Sequence, residues 1–186
     1  YSWIDLILLG FLAKFSITKN LNFAFNDFYL IGGLLFVWFF FNFSLEAKHN
    51  YSYRGKNSLY LPILSLVWAV VISLTQNIIS LILLIISVFL VFIYLQKNKN
   101  AFLGNFSSIT RGLIESSYFI YAILLLSSSI NQNQILLSIF VFLIYTSRAL
   151  IGDIRDVKHN KEANKKTFPI TFGVNACKFT VIFLLL

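Results

Sequence analysis

Charge is scarce in this chain: Asp, Glu, Lys and Arg supply 12% of its 186 residues. A soluble domain carries roughly 25%, so an ordinary water-soluble globule is excluded. Cysteine occurs once, as Cys177, which rules out an intrachain disulfide and says little about redox compartment. Methionine is absent. No signal peptide is visible, because a basic n-region is lacking and the first apolar block leads into further ones. What fills the chain instead is hydrophobic: 58% of the residues, 21 of them Phe, with a mean hydropathy of +0.79. These residues come in blocks rather than in amphipathic stripes, as lipid-facing helices require. A bilayer core satisfies no backbone hydrogen bonds, so such blocks must be helical. A chain without methionine that begins and ends within apolar blocks is expected to be truncated at both ends.

Seven apolar segments can be drawn, at about 3–15, 28–45, 59–75, 78–95, 106–127, 135–151 and from Pro169 onward. The expected architecture is therefore all-α: one polytopic transmembrane helix bundle over residues 1–186. Pro169 fits a first-turn helix position, where its missing N–H costs nothing. Polar loops fall at 46–58, 96–100 and 152–167, with a tight turn at Gln76-Asn77 and another at 128–134.

The basic residues set an orientation. All of the 15 except Lys14, Lys19 and Lys178 lie in, or at the helix ends flanking, the loops after the second, fourth and sixth segments. The turns after the third and fifth carry no charge. The positive-inside rule then puts the even-numbered loops in the cytoplasm. Only the first loop, with Lys14, Lys19 and Asp27, runs against this. The net charge of +8 thus reports topology. Nucleic-acid binding is not expected, because no soluble basic domain exists to carry it.

Two loops concentrate acidic and amide groups. After the sixth segment the chain reads Asp153-Ile-Arg-Asp156-Val-Lys-His-Asn160. On a helix continuing from that segment, Asp153, Asp156 and Asn160 share one face. Carboxylates presented together need a cation between them, and oxygen ligands of this kind suit Mg²⁺, commonly completed by substrate phosphates. After the second segment, Asn42-Phe-Ser-Leu-Glu46-Ala-Lys-His-Asn50 is a counterpart. Glu46 falls on Asp156, and Lys48-His49-Asn50 falls on Lys158-His159-Asn160, as in an internal repeat with two facing sites. The plainer reading of each motif is a solvated helix end. Arg111 and Glu115, four apart, read first as an intrahelical ion pair. No ionisable residue is expected clearly in the middle of a span.

The stretch from Gly152 through Asn160 and on through Lys165-Lys166-Thr167-Phe-Pro169 to Gly173 resembles the second aspartate-rich motif of the UbiA family of intramembrane prenyltransferases. The 42–50 stretch resembles the family's first such motif. Tyr94 with Lys97 or Lys99, followed by Gly104-Asn105, resembles its signature after the fourth helix. The resemblance implies a nine-helix layout with about seven spans present, and motif loops at about 42–58, 94–105 and 152–169. This sequence departs from the pattern at Phe43, Glu46, Asn50 and Asn160, which leaves Glu46, Asp153 and Asp156 as the motif carboxylates.

Family membership implies transfer of an isoprenyl chain from its diphosphate to a quinone-precursor or other lipid acceptor, such as a glyceryl phosphate. It implies Mg²⁺ held by Glu46, Asn50, Asp153, Asp156 and Asn160, with Glu46, Asp153 and Asp156 catalytic. Asn42, Arg54, Tyr94, Lys97, Lys99, Asn105 and Lys165 would bind the diphosphate. Two alternatives stay open: a catalytically degenerate homologue that binds isoprenoids, and a transporter subunit. A CDP-alcohol phosphotransferase is not favoured, since its D-G-x-x-A-R pattern is absent.

Overall fold

The computed structural model describes residues 3–22, 24–25, 27–49, 60–97 and 100–186, and of Trp3 and residues 46–49 only the backbone. Among them no strand occurs. The helices are α1 (Trp3–Thr18), α2 (Asp27–His49), α3 (Tyr60–Gln76), α4 (Ile78–Leu95), α5 (Ala101–Asn105), α6 (Ser107–Leu126), α7 (Gln132–Arg155), α8 (Val157–Glu162), α9 (Phe168–Phe172) and α10 (Val174–Leu185). Helices α2, α4, α6 and α7 are long and apolar enough to cross a membrane, and α3 and α10 are shorter apolar helices. Large apolar side chains such as Ile63, Val67, Ile82, Ile85, Phe89 and Phe140 point outward and stay exposed. Patches of that kind are untenable in water and suited to lipid.

The chain divides into two compact units, residues 1–88 with 117–135 and residues 89–116 with 136–186. In the first unit α2 packs on α1 and α3. Several of its polar groups are paired internally. The Tyr121 hydroxyl meets Ser73 Oγ at 2.9 Å, and Ser87 Oγ donates to Ser117 Oγ at 2.9 Å. Asn77 makes the α3–α4 turn by capping α4: its Oδ1 accepts the Ser80 N–H at 2.7 Å. Lys14 and Asp27 form a buried ion pair, joined by the Asn22 carbonyl and by the Ala24 N–H, which donates to Asp27 at 2.6 Å. Lys14 and Asp27 of the first loop thus neutralise each other within the fold, and Lys19 carries its remaining charge.

The second unit corrects three sequence expectations. The seventh apolar segment is not one helix, because Gly173 at φ +92° breaks it into α9 and α10; only glycine takes that conformation without strain. Pro169 does sit in the first turn of α9. The stretch 152–167 is not a plain loop, since α7 runs to Arg155 and α8 follows after a break at Asp156. Helical bonds still cross the break, from Asp156 N–H to Gly152 at 3.0 Å and from Asn160 N–H to Asp156 at 2.9 Å. Finally, an ionisable pair does lie well inside a span. Arg111 and Glu115 form the expected i,i+4 ion pair but are 2% and 3% exposed. Glu115 stands about 12 Å along α6 from its first residue, near the helix midpoint.

Candidate active site

Asp153 lies in the last turn of α7, where the helix dipole favours cations and disfavours a carboxylate by about 0.3–1 kcal/mol. Its placement is therefore not explained by helix stability. The Ser108 hydroxyl, at the start of α6, donates to Asp153 Oδ2 at 2.9 Å. The charges of Lys97 and Asp156 act on it from nearby. Asp156 occupies the break between α7 and α8, and its side chain makes no cap bond. Instead the Arg155 guanidinium grips it in a fork, Nε to Oδ1 at 2.8 Å and Nη2 to Oδ2 at 3.1 Å. That hydrogen-bonded charge holds the Asp156 carboxyl below the usual carboxylate range, with His159 and Lys165 adding to the effect. Asn160, in α8, is buried, and its carbonyl accepts the Lys165 N–H at 2.8 Å, which folds the chain back after α8.

The loop after α4 joins the same unit. Lys97 Nζ donates to the Tyr94 hydroxyl at 2.8 Å and lies 4.2 Å from the centre of the Tyr94 ring. Asn100 caps α5 by accepting the Phe102 N–H at 2.8 Å. Gly104 then passes between two backbones: a β-carbon there would lie 2.1 Å from the Lys166 carbonyl oxygen and 3.0 Å from that of Lys97. The next residue, Asn105, accepts a hydrogen bond from the Thr171 hydroxyl at 2.7 Å. The 94–105 and 152–173 stretches are thereby locked together. Tyr94, Lys97, Asn105, Asp153, Asp156, Asn160 and Lys165 all belong to this one unit.

The first acidic motif belongs to the other unit. There the Asn42 amide donates to the Trp38 carbonyl one turn back, at 2.9 Å, and Glu46 is helical, in α2. Asn50, Arg54 and Lys99 lie outside the described residues. Among the described residues no three His, Cys, Asp or Glu side chains converge as a metal cluster. The donors that Asp153, Asp156 and Asn160 offer are nonetheless all hard oxygens, and the exposed Arg155 fork on Asp156 is of the kind worth at most about 1 kcal/mol. That set fits Mg²⁺ completed by water and phosphate oxygens.

Ser108 carries no signature in the sequence. It stands outside every motif, and nothing in a serine pair at a helix start signals a bond to a carboxylate far along the chain.

Spans this apolar, together with loops that gather acids, lysines and amides on one unit, define an integral membrane protein with a polar site. The model of the UbiA prenyltransferase family matches residues 52–186, most of the chain. The chain belongs to that family, which places it among membrane prenyltransferases. No curated protein and no solved structure matches it.

Proposed function

We propose that this protein is an Mg²⁺-dependent intramembrane prenyltransferase acting on an isoprenyl diphosphate and a quinone-precursor, other aromatic or glyceryl-phosphate lipid acceptor. The observation that carries this reading is the locking of the Tyr94–Asn105 and Asp153–Thr171 stretches through Gly104. It brings two carboxylates and the cationic Lys97 and Lys165 into one unit, as binding of a metal–diphosphate requires.

Asp153, Asp156 and Asn160 would hold Mg²⁺. When bound, the ion neutralises charge developing on the leaving diphosphate. Lys97, Lys99 and Lys165 would bind the diphosphate oxygens as fixed positive charges, with Tyr94 and Asn105 donating hydrogen bonds. Apolar helix faces would admit the prenyl tail from the lipid and keep water from an allylic cation. The motif loops face the cytoplasm in this reading, supported by the basic residues around them and by the neutralised Lys14–Asp27 pair.

The test is consumption of geranylgeranyl and farnesyl diphosphates by membranes carrying the protein. Mg²⁺ is compared with EDTA across a panel of aromatic and glyceryl-phosphate acceptors. Mg²⁺-dependent product supports the reading. Binding of prenyl diphosphate without turnover across the panel would favour the degenerate homologue instead, a reading motivated by Phe43, Asn50 and Asn160 at motif positions.

A further inference from the structure

We propose that Ser108 is a positioning residue for Asp153, fixing its carboxylate through Oδ2 and leaving Oδ1 to face a ligand. This rests on the prenyltransferase reading above.

Ser65, a buried serine of α3, bonds locally: its hydroxyl donates to the carbonyl four residues back, at 2.8 Å. That is the ordinary habit of a helical serine. Ser108 donates instead to a carboxylate 45 residues away. It is 3% exposed, so water has little access to replace the bond. Its neighbour Ser107, equally buried, turns the other way and donates to the Gly104 carbonyl at 2.8 Å.

The register that brings Ser108 to Asp153 is built into α6. Counting on by fours, a β-carbon on Gly112 would meet Thr146 Oγ1 at 2.1 Å and the Phe142 carbonyl oxygen at 2.7 Å. Ser116 Oγ donates to the Ser138 carbonyl at 2.9 Å. Small residues four apart let helices approach closely in membranes. Here they hold α6 against α7 along the length that ends at Ser108 and Asp153. Hydrogen bonding of this type orients metal-ligating carboxylates, and its loss costs about 10–100-fold in affinity.

The experiment is calorimetric titration of the full chain in nanodiscs with geranylgeranyl S-thiolodiphosphate, an unreactive analogue, with and without Mg²⁺. Melting temperatures are recorded alongside. Ser108→Ala should weaken Mg²⁺-dependent binding about tenfold or more. Ser108→Thr, which keeps the hydroxyl, should restore most of it. Ser107→Ala, which loses an equally buried hydroxyl bonded only to a local backbone carbonyl, should leave it unchanged. Wild-type binding by Ser108→Ala overturns the proposal while leaving the prenyltransferase reading intact. So does an equal loss in Ser107→Ala, or unfolding of both Ser108 variants, since each marks a structural role. Absence of Mg²⁺-dependent binding and of turnover in the wild type is a different failure, that of the reading itself, and takes the proposal with it.

Discussion

Gly104 and Lys166 meet backbone to backbone, with the space of a single β-carbon missing between them. The Lys97 carbonyl closes the other side, so neither neighbour is a flexible side chain that could swing away. The signature loop after α4 and the basic tail after α8 are held in register by this contact and by the bond from Thr171 to Asn105.

Gly104→Ala is therefore expected to destabilise the protein by about 1–3 kcal/mol or more, the range for overpacking. Gly152→Ala serves as the control. Gly152 lies within α7 beside Asp153, yet a β-carbon there meets nothing within 4 Å. Alanine should keep or raise stability there, by about 0.5–1 kcal/mol. Thermal unfolding in detergent compares the two, and equal melting temperatures would refute the packing account.

The buried Arg111–Glu115 pair gives a second expectation. Removing one partner of such a pair leaves a charge in a low-dielectric site and costs about 3–5 kcal/mol. Arg111→Met and Glu115→Leu should each destabilise by that order, and the double variant by much less than their sum. A double-mutant cycle by denaturant unfolding measures this, and additive effects would contradict it.

The fork between Arg155 and Asp156 predicts a pH effect. Asp156 titrates below its ordinary value because Arg155 stabilises the ionised form. The stability this contributes is present above the unfolded-state value of about 3.9 and is lost as pH falls through the lower folded value. Both side chains are exposed, so the contribution is small. Arg155→Gln should raise the Asp156 titration toward the usual carboxylate range, read by NMR of labelled aspartate. An unmoved titration would mean that the fork does not form in solution.

Orientation is tested by cysteine labelling in intact cells. Cysteines at Asn77 and Asn131 should react with an impermeant reagent, and one at Lys161 should not. The reverse pattern would invert the proposed topology.

Much of the fold was legible because span formation needs only hydropathy. The segment drawn at 78–95 coincides with α4, flanked by a turn that Asn77 marks chemically. The apolar pattern starts α7 three residues later than the structure does. Gln132–Gln134 look polar, but Asn131 and Gln134 form a reciprocal capping box, with bonds of 2.8 and 2.9 Å, that begins the helix earlier. The break at Gly173 was hidden because one glycine in an apolar run is compatible with an unbroken helix. At the site, spacing identified Asp153 and Asp156 but not their partners. Ser108 reaches Asp153 and Gly104 meets Lys166 only once distant helices are packed, and no local pattern encodes that.

The most direct test of the central claim is Mg²⁺-dependent consumption of prenyl diphosphate by membranes carrying the wild type, Asp156→Ala or Glu162→Ala. Asp156 is read as a metal ligand, whereas Glu162 ends α8 exposed and off the motif. Outer-shell losses at metal sites cost about 10–100-fold, so loss of a direct ligand should cost at least as much. Asp156→Ala is expected to fall by that factor, while Glu162→Ala stays near wild type. Full activity in Asp156→Ala would contradict it.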